Sequence, residues 1–83
     1  MDLEQFNRMV VDYLVETIPE HANVLRKLGA GDELLESGAI DSHRYIEMCL
    51  YIEERTGIPI DIAELEPEEI STIAGLHSVV ARG

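Results

Sequence analysis

Ser42 is the residue of this sequence whose type and position best fit a chemical role. It follows Asp41 and ends the stretch LLESGAIDS, residues 34–42, directly before an amphipathic pattern begins. A serine at the first position of a helix keeps its hydroxyl at the surface, where unpaired N–H groups and a partial positive charge favour an attached phosphodiester. Asp41 is suited to accept backbone N–H groups as a cap. The pair therefore predicts either a plain helix cap or an exposed site for covalent phosphate attachment.

The histidines and the acidic residues do not have the spacing of a metal site. His21, His43 and His77 lie far apart in the sequence, and no cysteine or carboxylate cluster completes a ligand set. Residues 61–69 are acidic but lack the alternating ligands and central glycine of a calcium loop. We expect a solvated acidic surface there and no bound metal.

Enzymatic chemistry has weak support in the sequence. Cys49 lies on an apolar helical stripe, which favours a small buried side chain over a nucleophile. Ser42 lacks any sequence sign of an activating histidine and an orienting acid, because the adjacent His43 points elsewhere on a helix. We therefore expect a protein that is not an enzyme, with acyl transfer by Cys49 as a distant alternative.

Size and charge limit the class of protein. The chain has 83 residues, which predicts a single domain over residues 1–83, and 17 Asp and Glu against 6 Lys and Arg give a net charge of -11. Such a polyanion repels nucleic acid and attracts partners with basic patches, although acidity also serves solubility alone. One cysteine excludes an internal disulfide. The sequence shows no membrane span or signal peptide, so we expect a cytoplasmic protein.

Apolar spacing predicts the helices. A first helix runs from Asp2 to about Ile18 and ends before Pro19. A long connection over residues 19–41 follows, with a turn or two of helix near residues 24–28 and apolar residues that pack over the core. A second long helix runs from Ser42 to about Thr56 and ends at Gly57.

The remainder of the chain predicts an extended segment, a short helix and a last helix. Residues 58–62 read as extended, residues 63–70 as a short helical piece, and the last helix is capped by Ser71 or Thr72 and reaches Val80. The fold class is therefore all-α, a bundle of three main helices plus one short helix, with a long loop after the first. The core is expected to contain Phe6, Val10, Leu14, Met48, Ile52, Ile73 and Leu76.

The helix that begins at Ser42 has apolar residues on two faces. Tyr45, Met48 or Cys49, and Ile52 form the stripe assigned to the core. The second face contains His43, Ile46, Glu47, Leu50 and Glu54. If exposed, this mixed apolar and acidic face is a docking surface for partners. The alternative is that Ile46 and Leu50 are also buried.

In its motifs the chain resembles the acyl carrier protein family, which includes the peptidyl carrier domains. The resemblance rests on Asp41-Ser42 after a Leu-Leu-x-x-Gly stretch, on Ile46-Glu47, and on Ile52-Glu53-Glu54 followed by Ile58-Pro59-Ile60. It extends from about residue 34 to residue 80. It implies an acyl-carrier-like bundle, a non-catalytic monomer, and 4'-phosphopantetheine attached by a transferase to Ser42, beside Asp41.

The resemblance also implies what the chain carries and what it binds. The thiol of the arm would hold an acyl or aminoacyl group as a thioester, in biosynthesis of the fatty acid, polyketide or nonribosomal peptide type. Partners would be a phosphopantetheinyl transferase and loading and processing enzymes with basic docking patches. The residues implied in docking are His43, Ile46, Glu47, Leu50, Glu53 and Glu54.

Two residues depart from the family pattern beside the attachment point. His43 stands where leucine or methionine is usual, and Arg44 stands where an acidic or polar residue is commoner. Both bear on which transferase and which enzymes recognise the chain. An alternative of a different class is an unmodified acidic interaction module that binds a partner through Ile46 and Leu50.

Overall fold

The computed structural model describes residues 1–82, and this part of the chain is all-helical, as the sequence predicts. Three long helices, α1 (Leu3–Thr17), α3 (Ser42–Thr56) and α5 (Ile73–Arg82), are joined by two short ones, α2 (Ala22–Leu25) and α4 (Pro67–Ile70). Single 3₁₀ turns occupy Pro19–His21 and Leu35–Ser37. Among residues 1–82, no helix has the length and apolar character required to cross a membrane.

Capping residues set the ends of the two longest helices. The Asp2 carboxylate accepts the Gln5 N–H at 2.8 Å, and the Gln5 side chain accepts the Asp2 N–H at 3.1 Å, which is a capping box. Helix α3 ends before Gly57, whose φ of 73° is the left-handed conformation that glycine adopts readily. Both helices agree with the predicted bounds to within a residue.

The long connection after α1 packs over the core. Leu25, Leu34 and Ile40 are buried, whereas Val24 and Leu35 are exposed. The short helix α2 begins earlier than the predicted turn, because the 3₁₀ turn at Pro19 leads directly into it. The Leu34 N–H donates to the Ser71 carbonyl at 2.9 Å, and the Ala74 N–H donates to the Ala30 carbonyl at 2.8 Å. These two bonds attach the connection to the residue after α4 and to the first turn of α5.

The seven residues predicted for the core are all buried. Each is at most 1% exposed: Phe6, Val10, Leu14, Met48, Ile52, Ile73 and Leu76. Aromatic contacts join the helices around them. Tyr13 of α1 stacks on Tyr51 of α3, with ring centroids 4.1 Å apart, and the edge of His77 in α5 meets Phe6 of α1.

The short helix predicted over residues 63–70 begins later in the structure than predicted. The structure has a turn at residues 62–64, and α4 begins only at Pro67. Proline lacks an N–H and its ring clashes with the carbonyl four residues earlier, so a helix cannot run from Ala63 through Pro67. Residues 58–61 of the predicted extended segment have no regular secondary structure, and Ile62 belongs to the turn.

The last helix is capped by Thr72, one of the two residues proposed from the sequence. Its hydroxyl oxygen accepts the Gly75 N–H at 3.0 Å. Gly75 also allows α5 to approach α4, because a Cβ there would lie 2.3 Å from the Glu69 carbonyl oxygen. Arg82 reaches back to Glu69 at 3.0 Å. The pKa of Glu69 is lowered, mainly by its bond from the Glu66 N–H and then by Arg82.

The contact at Gly75 gives a test of this packing. Gly75→Ala is expected to lower the free energy of unfolding by about 1–3 kcal/mol, because the new methyl group meets rigid backbone rather than a flexible side chain. Thermal unfolding followed by circular dichroism measures the change. Gly31→Ala is the matched control, since a Cβ at Gly31 has no atom within 4 Å. Equal melting temperatures for the two variants would show that α4 does not lie against α5 as described.

Candidate functional site

Ser42 occupies the first position of α3 and is exposed. Asp41 precedes it in extended conformation, and its carboxylate accepts the Arg44 N–H at 2.8 Å. The Asp41 carbonyl accepts the Tyr45 N–H at 2.9 Å, which begins the helical bonding pattern. Asp41 is therefore the cap of a 15-residue helix. The adjacent serine lies at the positive end of that helix, accessible to solvent.

An open apolar groove of about 360 Å³ lies against Ser42. Residue spacing along the chain does not predict this groove, because its walls come from segments distant in the chain. The long connection, α3 and the residues around α4 all contribute. Apolar lining residues are Leu35, Tyr45, Ile46, Ile62, Leu65 and Ile70, and Glu33 and Ser71 also line it. The available signal was the pair of large apolar residues in otherwise polar loops, Leu35 and Ile62, which the structure leaves exposed.

Tyr45 connects this groove to the core. Its hydroxyl donates a hydrogen bond to the Ile70 carbonyl at the end of α4, and its side chain is only 7% exposed. Burial is the main cause that raises the pKa of Tyr45 well above its ordinary value, so the phenol stays protonated and remains a donor. The bond fastens α4 to α3.

The face of α3 that the sequence proposed for docking is open to solvent. Ile46 is 50% exposed and Leu50 is 59% exposed, so the alternative in which both are buried is wrong. His43 and Glu54 are exposed beside them, and Glu47 is partly exposed. Helical periodicity brings these five residues to one side of α3, next to Ser42. We refer to this surface (His43, Ile46, Glu47, Leu50 and Glu54) as the α3 ridge.

Glu53 does not join the α3 ridge. Its carboxylate accepts the Ile60 N–H at 2.9 Å, which holds the segment after α3 against the helix. Ile60 itself is buried. The structure thus gives Glu53 a bond within the fold, although the sequence grouped it with the residues for partner binding.

The two departures from the family pattern both contact Glu47. The distance is 3.5 Å from His43 Nε2 and 3.8 Å from Arg44 Nη1 to the same carboxylate oxygen. Exposed pairs of this kind contribute little to stability. Their effect is on the local charge, because the two basic side chains partly balance the negative charge of Glu47 near Ser42. Glu54 lies further along the helix.

Cys49 is buried and its environment suppresses its reactivity. It is 1% exposed, and burial raises the pKa of its thiol to about 11. A thiol is a nucleophile only when ionised, so at neutral pH this one is almost entirely in the inert form. Among the residues described, no three His, Cys, Asp or Glu side chains come together as a metal site.

Thiol labelling tests the burial of Cys49. At pH 8 a thiol reagent should react at least about 100-fold more slowly with the native protein than with the denatured chain, because the thiolate is scarce and enclosed. Absorbance of the released chromophore measures both rates. Comparable rates would mean that Cys49 is accessible, and a covalent role for it would then return.

Comparison with known proteins finds a similar carrier protein. The chain is 34% identical over 68 residues to a D-alanyl carrier protein of Bacillus velezensis. The aligned residues cover 82% of this chain and 83% of the relative. No family model matches the chain. No solved structure gives a significant match either.

Proposed function

The chain belongs to the acyl carrier protein family of phosphopantetheine-attachment proteins, and from this premise we propose that Ser42 is the residue that receives 4'-phosphopantetheine. The observation that supports this most directly is the exposed serine at the first position of α3, beside the Asp41 cap. The cargo and the partners described below are parts of the same proposal as the attachment residue.

The residues around Ser42 fit such an arm. A phosphodiester on the Ser42 oxygen would lie at a helix N-terminus, where backbone N–H groups and the helix dipole favour negative charge. The groove beside Ser42 offers apolar walls to the part of the arm nearest the protein. When bound, the arm supplies a terminal thiol on which cargo is held as a thioester. The chain itself would hold and present the arm, and would raise the effective concentration of cargo at each partner without catalysis.

For the cargo, we propose an aminoacyl group first and an acyl group second. The relative is by its name a D-alanyl carrier, which favours an amino acid. Fatty acid, polyketide and nonribosomal peptide-type pathways remain within the proposal, because carriers for all three share this architecture. We propose that the protein acts as a monomer in the cytoplasm.

Mass spectrometry tests the attachment. Incubation with coenzyme A, magnesium and a broad-specificity phosphopantetheinyl transferase is expected to add the mass of one phosphopantetheine group. Ser42→Ala should abolish the increase, because it removes the oxygen that forms the ester. Ser71→Ala is the matched control, since Ser71 lines the same groove and should leave the increase intact. An increase that survives in Ser42→Ala would refute the attachment at this residue.

We further propose that the transferase and the loading enzymes dock on the α3 ridge. Ile46 and Leu50 provide exposed apolar area, and Glu47 and Glu54 flank them with negative charge. A partner with a basic rim around an apolar pocket complements this pattern. The same surface supports the second candidate function, an unmodified interaction module, and the absence of any mass increase with several transferases would favour that candidate.

Leu50→Ala tests the docking surface. We expect the transferase kcat/KM to fall about five- to tenfold, because truncation of a central apolar contact commonly costs more than 1 kcal/mol of binding. The free energy of unfolding should change by less than about 0.5 kcal/mol, since the side chain is exposed. Val24→Ala is the control, because Val24 is also exposed but lies on α2 and not on the α3 ridge. Equal losses of kcat/KM in both variants would contradict docking on the ridge.

A further inference from the structure

The inner end of the groove is fixed by several independent contacts. The Tyr45 hydroxyl donates a hydrogen bond to the Ile70 carbonyl, and the Leu34 N–H donates one to the neighbouring Ser71 carbonyl at 2.9 Å. On the far side, Gly75 lets α5 lie directly against the Glu69 backbone. The short helix α4 is thus held from α3, from the long connection and from α5. The wall that it contributes to the groove cannot retreat without breaking these contacts.

Tyr45 and Ile70 form the buried part of the groove wall. Of the described residues that line it, these two are the ones that also belong to the buried core. The fully buried core residues nearest in sequence to Tyr45, Met48 and Cys49, do not line it. Tyr45 therefore belongs both to the groove wall and to the core. At about 360 Å³, the groove is near the lower end of the roughly 300–1,000 Å³ typical of small-molecule sites.

We propose that Tyr45 limits the length of the cargo, because its ring and its bond to Ile70 close the way from the groove beside Ser42 into the core. The cargo class that follows is a short acyl or aminoacyl group, which stays in the groove or in solvent. A long alkyl chain would find no shelter within the bundle. This inference rests on the proposed attachment at Ser42.

The energetic reason is the cost of displacing Tyr45. An alkyl chain that entered the core would have to move the ring and leave the Ile70 carbonyl without its donor, and an unsatisfied buried polar group is strongly unfavourable. The close-packed interior offers no free volume to accept the displaced ring. A short group avoids this cost because it fits against the Tyr45 ring within the groove and does not displace it.

Loaded forms of the protein test the inference. A promiscuous transferase with acetyl- and octanoyl-coenzyme A attaches either acylated arm, and mass spectrometry verifies each product. The melting temperature is then measured by circular dichroism. In the natural sequence, the octanoyl and acetyl forms should differ by less than about 2 °C, whereas a chain sheltered in the core would raise the value by about 10 °C or more.

Substitution of Tyr45 should create the missing shelter. In Tyr45→Leu, the octanoyl form is expected to melt about 5–10 °C above the acetyl form, since the space left by the ring accepts methylene groups. Tyr51→Leu is the matched control: it lies on the same helix, stacks on Tyr13 and does not line the groove, so it should behave like the natural sequence. If Tyr45→Leu does not fold, Tyr45→Phe is used in its place. Its octanoyl form should show a smaller rise in melting temperature, because this variant loses only the hydrogen bond to Ile70.

The outcomes separate the two proposals. Verified loading with a large octanoyl-dependent rise in the natural sequence overturns the length limit and leaves the attachment at Ser42 standing. Verified loading without a gain in either Tyr45 variant shows that another residue sets the limit, which also overturns the inference. If no acylated arm is attached at all, the proposed function fails and the inference fails with it.

Discussion

The hydrogen bonds at the start of α3 are the constraint on which the other features depend. Asp41 accepts the Arg44 N–H on its carboxylate and the Tyr45 N–H on its carbonyl. Together they fix the rotational phase of the helix, which advances about 100° per residue. In this phase Ser42 is exposed, Tyr45 turns toward the core and Ile46 faces solvent.

That phase also determines how distant segments meet around Ser42. Because Tyr45 faces inward, its hydroxyl reaches the end of α4, and the same region receives the Leu34 N–H from the long connection. Glu53, two turns further along α3, holds the segment at Ile60 in a comparable way. The surroundings of the candidate site are therefore built by polar tethers to backbone groups, while apolar packing supplies the core beneath.

Much of the fold was predictable from the periodicity of apolar residues and from local signals for the start and end of helices. The bounds of α1 and α3 follow from Asp2, Pro19, Asp41 and Gly57, whose effects are local. The start of α4 was placed too early, although Pro67 carried the needed signal. The groove and the role of Glu53 were not predictable, because both depend on where loops lie in space. Periodicity reports which way a helical residue faces, and it does not reveal that a carboxylate will find an N–H seven residues later.

The distribution of the tyrosines has a spectroscopic consequence. The chain has three tyrosines and no tryptophan, so these phenols dominate its near-ultraviolet absorption and emission. Tyr13 and Tyr51 form a stacked pair between α1 and α3, whereas Tyr45 is hydrogen-bonded at the junction of α3 and α4. The pair thus reports on the contact between α1 and α3, and the single ring reports on the contact between α3 and α4. Loosening of the helix bundle and opening of the groove therefore each perturb a different tyrosine contact, and the intrinsic tyrosine spectra respond to both without an introduced label.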